Sequence, residues 1–403
     1  MPLSRWNVRV VSATPVAAVA REGFRSGVAP ENLDPLLARA DALAVALEGV
    51  EAGAATRLAH EMRVSGGDAA VAKAATGGLV VVGPRAAFDA LLARLTDAPA
   101  DLPAIGREVA DALERYARRR FDLRLGPYRL SVGDRPLLMG VVNVTPDSFS
   151  DGGKFLQPER AVAHARDLVA EGADLLDVGG ESTRPGSDPV PEEEEMRRVL
   201  PVVETLAEAL EVPISIDTRH ARVAREAAAA GAAIVNDITG LQGEREMARA
   251  VADTGAGLVL MHIRGEPKTM QDAPRYDHLM AEVLRYLRRG LALAEEAGVP
   301  EEATIVDPGI GFGKRLEHNL EILGELSQIR SLGRPILVGP SRKRFLGQVT
   351  GAQDPAERVW GTAASCALAV AAGAAILRVH DVAAMRQASA VAHAVARARE
   401  NAT

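Results

Sequence analysis

The sequence predicts a (β/α)8 TIM barrel preceded by a smaller N-terminal α/β or α+β domain, on three observations. From Leu137 onward, eight short apolar runs alternate with helix-patterned segments. Each run is nearly continuous in apolar residues, as strands covered on both faces require. Each also finishes on or just before a residue able to hold a ligand, as barrel strands do at the face where enzymes of this architecture work. An open doubly wound sheet is the competing topology, but no early G-x-G-x-x-G turn supports it.

Residues 1–120 carry the less regular pattern. A strand is expected near Arg9–Val11, helices over Leu33–Leu47 and Ala52–Met62, and a further helix around Asp68–Ala75. A strand at Leu79–Val82 and helices at Pro84–Leu95 and Ile105–Arg118 follow. Arg5 and Arg9 ahead of Val10–Ala20 faintly mimic a secretory leader, but Ser12, Thr14 and Pro15 break its apolar core. Arg118-Arg119-Arg120 at a helix end reads as complementing the helix dipole rather than as a phosphate site. The polar, Gly-broken stretch His60–Asp68 reads equally as a functional loop or as a helix end. Residues 121–136 form a linker, with the Gly126-Pro127 turn between alternating residues suggesting a hairpin that plugs the barrel's bottom.

The barrel occupies 137–403. Its runs are Leu137–Thr145, Asp174–Ser182, Pro213–Thr218, Ala233–Ile238, Gly257–His262, Thr304–Gly309, Pro335–Ser341 and Ala375–Val382. Intervening segments such as Glu159–Glu171 and Tyr276–Ala297 are helical in pattern. The run Glu192–Glu195 follows Pro191, so it belongs to a helix's first turn, where the dipole favours negative charge.

Composition narrows the function. Of 403 residues, 47% are hydrophobic and 25% charged, which excludes disordered and fibrous classes. A net charge of -7 argues against a broad nucleic-acid surface, and 2 Trp, 4 Tyr and 7 Phe are too few for a base-stacking platform. No stretch approaches the ~18 uninterrupted apolar residues of a membrane span. The lone Cys366 permits neither an internal disulfide nor a multi-cysteine metal cage, so a cytoplasmic location is expected.

The strand ends are Asn143, the pair Thr183 and Arg184, Asp217, Asn236, His262, Asp307, Lys343, and Arg378 with His380. Asp217, Asn236 and Asp307 offer carboxylates and an amide that suit a flat heterocycle with an amino-pyrimidinone edge, since a carboxylate accepts two parallel N–H donors. Arg184, Arg378 and His380 are fixed donors for an anion such as a diphosphate. Asn143 offers a hard oxygen for Mg²⁺, which takes few protein ligands beside phosphates and water. The expected site is therefore split, with acids and amides on the ring and bases on a departing diphosphate. Asn143–Gly153 and Glu181–Gly186 read as lids after the first two strands. Asp307-Pro308-Gly309-Ile310-Gly311-Phe312-Gly313-Lys314 lets backbone approach a ligand.

At these motifs the chain resembles the dihydropteroate synthase family. The resemblance runs from about Leu137 to Val382. It rests on the Asn-Val-Thr-Pro-Asp-Ser-Phe-Ser-Asp-Gly-Gly segment from Asn143, Gly-Gly-Glu-Ser-Thr-Arg-Pro-Gly from Gly179, Ile-Asp-Thr from Ile216, and Asn236-Asp237. Met261-His262, the Asp307–Lys314 segment, Ser341-Arg342-Lys343 and Arg378-Val379-His380-Asp381 complete it. The resemblance implies pterin binding by Thr183, Asp217, Asn236, Asp307 and Lys343, and diphosphate binding by Asn143, Arg184, Arg378 and His380. It implies 4-aminobenzoate binding by Thr183, Arg184, Pro185, Phe312 and Ser341, with Asn143 on Mg²⁺. Catalysis would rest on Asp217, Asp307, Lys343 and Arg184, with no protein nucleophile, and the assembly would be a homodimer. The substrates implied are dihydropterin-methyl diphosphate and 4-aminobenzoate, with no nucleic-acid or membrane partner. Pro340 and Arg344 lie outside the family's core motif, and residues 1–120 have no counterpart in its single-barrel members. A corrinoid methyltransferase using methyltetrahydrofolate would share the pterin grip but not the diphosphate clamp; a non-catalytic pterin-binding protein would keep affinity without turnover.

Overall fold

The computed structural model describes residues 7–11, 25–28, 43–72, 76–144, 157–181 and 189–400. The N-terminal domain is a four-stranded antiparallel sheet in the order β1-β2-β4-β3, built of β1 (Arg9–Val11), β2 (Leu43–Glu51), β3 (Asp68–Val71) and β4 (Thr76–Gly83). Helices α1 (Ala52–Val64), α2 (Arg85–Leu95) and α3 (Leu102–Ala117) cover one face of it.

Two helical expectations fail here. Residues 43–47 belong to a strand, and so do 68–71; the rest of 33–47, and residues 73–75, lie outside the described residues. Over residues 43–47 of β2 the alternation is one of size within an all-apolar run. Val45 and Leu47 face the helices, while Ala44 and Ala46 join Val80 and Val82 on the opposite face. With no polar residue to mark the period, Ala-rich composition reads as helix, and pairing with β1 and β4 overrides that propensity. The same holds for β3, whose four residues gain their ladder from β4. His60–Asp68 is a helix end: the Ser65 N–H caps α1 onto Arg63 and Glu61 carbonyls, and Arg63 Nε meets Asp68 at 3.1 Å. At the end of α3, Arg118 is ion-paired to Glu301 at 2.8 Å.

The hairpin β5 (Phe121–Leu125) and β6 (Tyr128–Val132) follows. Leu123, Leu125 and Val132 pack against Met139, Leu175, Ile234, Val259, Ile305 and Leu337, the inward-facing residues low in the barrel. A Cβ on Gly257 would lie 2.3 Å from Leu125 Cδ2, so a glycine at the start of that strand makes room for the hairpin.

Eight parallel strands close the barrel: β7 (Leu137–Asn143), β8 (Leu175–Gly179), β9 (Ile214–Asp217), β10 (Ile234–Asp237), β11 (Gly257–Met261), β12 (Thr304–Asp307), β13 (Ile336–Val338) and β14 (Ala374–Val379). All eight lie within or beside the runs read from sequence. The main connecting helices are α4 (Gln157–Glu171), α5 (Glu192–Ala209), α6 (Ala221–Ala229), α7 (Met247–Thr254), α8 (Leu279–Glu296), α9 (Leu316–Glu325) and α10 (Arg344–Thr350) with α11 (Val359–Ala371), while α12 (Val382–Glu400) closes the chain. Glu192–Glu195 do occupy the first turn of α5.

Strand parity divides the core. Leu138, Val142, Leu176, Val178, Leu258 and Leu260 point outward to the helices. Leu175, Ile234, Ile305 and Ile376 point into the barrel. Two residues further along each of these four strands the inward position turns polar, giving Asp177, Asn236, Asp307 and Arg378. The barrel is apolar at its base and charged at its mouth.

Leu125 is fully buried beneath that base. Leu125→Ala should destabilise the chain by about 2–4 kcal/mol, seen as a lowered urea midpoint. Val64→Ala, at a residue 53% exposed on α1, should change stability by less than about 0.5 kcal/mol.

Candidate active site

The mouth is organised around Arg378. Its Nε donates to Asp177 Oδ2 at 2.6 Å and a terminal nitrogen donates to Asp217 Oδ2 at 2.8 Å. Asn236 Nδ2 donates to the same Asp177 oxygen at 3.1 Å. The second oxygens of Asp177 and Asp217 are buried without a hydrogen-bond partner. This differs from the expectation of two separate halves, because the guanidinium assigned to the anion side is bound to carboxylates of the heterocycle side. Parity explains it: Asp177, Asp217 and Arg378 all point into a barrel interior narrow enough for them to meet.

Asp177 is the residue that the sequence reading missed. It lies between Leu176 and Val178 inside an apolar run, with no turn to draw attention to it. Its signal was positional, an acid at the inward parity two residues beyond Leu175.

Burial pushes the Asp217 carboxyl up to about 7, opposed by Arg378 and reinforced by Asp177 and Glu181. Asp307 is raised by burial too, against a hydrogen bond from the Gly309 N–H at 2.7 Å. Lys343 is pulled down to about 7 by burial, opposed by Asp307 and aided by Arg378. Burial works against the charge of Arg378, but Asp177 and Asp217 outweigh it and hold the guanidinium protonated.

Lys343 caps α10 and its ammonium donates to the Ile310 carbonyl, 4.3 Å from the centre of the Phe312 ring. The preceding Arg342 has φ 58, a left-handed conformation costly for a side-chain-bearing residue. Its N–H reaches Thr362 Oγ1 at 3.0 Å and its guanidinium pairs with Asp381, so neighbouring elements hold the turn that presents Lys343. Ser341 Oγ accepts the His380 N–H at 3.1 Å and lies 3.0 Å from His380 Nδ1.

The Gly-rich segment after β12 packs against β11. Gly309 has φ 68, and a Cβ there would lie 1.9 Å from the His262 carbonyl oxygen. His262 does not face the mouth as a ligand: it is buried, its Nδ1 is 2.8 Å from Lys314 Nζ, and its ring meets Tyr286 edge-on at 4.8 Å. Burial lowers the pKa of both His262 and Lys314, so each favours its neutral form. Asp237 likewise serves the fold, accepting from the Thr239 and Leu241 N–H groups at 2.8 and 2.7 Å.

Asn143 ends β7 at the inward parity, half-buried at the rim. Its amide oxygen suits Mg²⁺, a hard ion that accepts one or two protein oxygens alongside phosphate and water. Thr183, Arg184 and Pro185 lie outside the described residues, as do most of the two expected lids.

A closed barrel whose mouth sets carboxylates, an amide, a lysine and an arginine facing inward is the framework of a heterocycle-binding enzyme. Residues 139–380 match the model of the pterin binding enzyme family, and the chain belongs to that family. A dihydropteroate synthase of Synechocystis is 47% identical over 273 residues, covering 68% of this chain and 94% of its own length. A solved Xanthomonas albilineans dihydropteroate synthase with 4-aminobenzoic acid is 48% identical, with a TM-score of 0.64, covering 69% of this chain and 98% of its own. Another from the same organism, in complex with 7,8-dihydropteroate, is 45% identical with a TM-score of 0.62, over 68% of this chain and 98% of its own.

Two tests follow from the electrostatics. Arg378→Ala leaves two buried carboxylates facing each other and should cost about 3–5 kcal/mol of stability by denaturant titration. The pH dependence has a definite sign. Between its ordinary 3.8 and about 7, Asp217 holds a proton in the folded chain that the unfolded chain has released, so stability falls as pH rises. Between about 7 and its ordinary 10.5, Lys343 has released a proton that the unfolded chain keeps, so stability recovers. Urea midpoints of the ligand-free chain should therefore dip near neutrality relative to variants: Asp217→Asn should flatten the acid limb and Lys343→Met the alkaline limb.

Proposed function

We infer that the chain acts as a dihydropteroate synthase, a transferase of folate biosynthesis. It joins (7,8-dihydropterin-6-yl)methyl diphosphate to 4-aminobenzoate, yielding 7,8-dihydropteroate and diphosphate. The observation that carries the reading is the inward polar tier of Asp177, Asp217, Asn236, Asp307, Lys343 and Arg378 at the mouth, in a barrel nearly half identical to synthases of that name.

In this reaction the C–O bond to diphosphate breaks and the electron pair leaves with the phosphate. The arylamine nitrogen then bonds the pterin methylene carbon and loses a proton. The chain's part is placement and charge. Asp217, Asn236, Asp307 and Lys343 hold the pterin edge, and the two carboxylate oxygens without partners, on Asp177 and Asp217, are positioned to accept its N–H donors. A buried carboxylate beside the ring also stabilises positive charge that grows on the methylene as diphosphate departs. We assign the departing anion to Arg378 and His380, and to Arg184 on the sequence resemblance. Phe312 and Ser341, with Thr183, Arg184 and Pro185, complete the place for 4-aminobenzoate. Mg²⁺ held through Asn143 would neutralise phosphate charge. Catalysis by orientation needs no nucleophile, in keeping with a Cys366 thiol that burial pushes up to about 12.

The setting is read as cytoplasmic, on the single buried cysteine; among the described residues no helix is long and apolar enough to cross a membrane. The assembly is read as a homodimer. Trp360 (80% exposed) and Leu368 on α11, and Val391 (67%) and Val395 on α12, leave apolar side chains exposed on two helices that pack against each other, a flank of the barrel that suits a second copy.

Mixing the chain with both substrates and Mg²⁺ should release one diphosphate per 7,8-dihydropteroate formed; methyl transfer from methyltetrahydrofolate without diphosphate would refute the assignment. Lys343→Met should lower kcat/KM by about 10²–10³-fold while the chain stays folded. Trp360→Glu should shift the mass in light scattering from dimer to monomer.

A further inference from the structure

Outside the polar tier of the mouth, three elements bring ionisable groups together. Glu181 follows β8, Glu195 lies in the first turn of α5, and His220 immediately precedes α6. The Glu195 side chain is fully buried, and neither of its carboxylate oxygens has a partner within ordinary hydrogen-bond distance, the Thr218 hydroxyl being a side-chain donor that approaches it. The buried His220 Nε2 also has none, and lies 4.0 Å from Glu195 Oε2. One ligand atom from each of Glu181, Glu195 and His220 lies within 4.8 Å of the other two.

Neighbouring side chains do not account for this. Arg219 approaches Glu181 at 3.0 and 3.2 Å and the Val190 N–H reaches its Oε1 at 3.4 Å, leaving a further lone pair on Oε2. The other imidazole nitrogen, Nδ1, faces Glu192 at 3.5 Å and Glu244 at 3.9 Å. A protonated His220 would satisfy that outer pair, but 4.0 Å is too long for a hydrogen bond to Glu195. The inward-facing nitrogen and the buried carboxylate lack close partners and are free to act as ligand atoms.

We propose that Glu181, Glu195 and His220 bind one divalent ion of the Zn²⁺ class, at a site separate from Asn143. One imidazole with two carboxylates is a donor set for an ion of borderline softness, and the imidazole disfavours Mg²⁺ and Ca²⁺. Such an ion sits about 2.0–2.2 Å from each ligand atom, which brings the ligands to roughly 3–4 Å from one another. Small rotamer changes at Glu181 and His220 close the present arrangement to that size. With three protein ligands, a water completes a tetrahedron. The ion neutralises a carboxylate that otherwise sits buried and unpaired, and it pins the exit of β8, the start of α5 and the β9–α6 connection to one point.

The test uses the full chain, stripped with a chelator and titrated with Zn²⁺ by calorimetry, with metal content measured after dialysis. One Zn²⁺ per chain should bind, raise Tm by several degrees, and survive Asn143→Ala. Glu195→Gln should weaken Zn²⁺ at least tenfold. His220→Lys should abolish the site yet keep the metal-free Tm at or above that of the parent chain, because its ammonium supplies the charge Glu195 lacks; this keeps the test informative if Glu195→Gln fails to fold. The absence of stoichiometric Zn²⁺, or binding unchanged in His220→Lys or in a folded Glu195→Gln chain, overturns the proposal. So does binding that is lost in Glu192→Ala with Glu244→Ala but kept in Glu195→Gln, which would put the ion on the outer nitrogen.

Discussion

Arg378 ties the mouth of the barrel together. It reaches from the last strand to carboxylates on the second and third, and Asn236 adds the fourth strand through the oxygen it shares. Two acids at inward-facing positions of a narrow barrel repel each other and lose water; a planar cation with a rigid fork of donors allows both to remain buried. Each acid keeps its second oxygen buried without a hydrogen-bond partner. The same contact therefore stabilises the empty barrel and sets its chemistry, and Asp307 and Lys343 balance their own buried charges beside it.

The rim extends that economy of buried charge. Lys314 and His262 hold each other next to the Gly-rich segment, while Arg342 accepts a left-handed backbone so that Lys343 can turn inward. The contacts of Lys314, His262 and Arg342 fix the shape of the loops around the mouth. The three glycines of that segment are required by what lies opposite them: backbone of His262 and Arg264, and the Lys343 stem.

Most of the barrel was legible because a strand buried on both faces must be almost wholly apolar, and Val, Ile and Leu fill these runs. The polar strand ends were legible for the complementary reason that polarity returns sharply at the mouth. Asp177 escaped because its environment is polar on one side only; a reading by alternate residues rather than by runs exposes it. Glu195 escaped in the opposite way, hidden among four glutamates of which helical geometry turns one inward. In the N-terminal domain, β2 deceived because both of its faces are apolar, so period two survives only as an alternation of larger and smaller side chains. The contact of Arg378 with two acids lay beyond any local reading, since it joins residues 201 and 161 positions apart.

The hairpin beneath the barrel marks a seam in the chain's architecture. Leu123, Leu125 and Val132 seal the floor from the linker itself, so the cork belongs to the barrel although it lies upstream of the first barrel strand. The described residues before Phe121 meet the barrel through contacts such as the buried Val10 N–H on Ser331 Oγ and Arg330 stacked over Tyr116. A recombination point just ahead of Phe121 would let a lineage exchange its N-terminal partner while the reaction vessel stayed watertight.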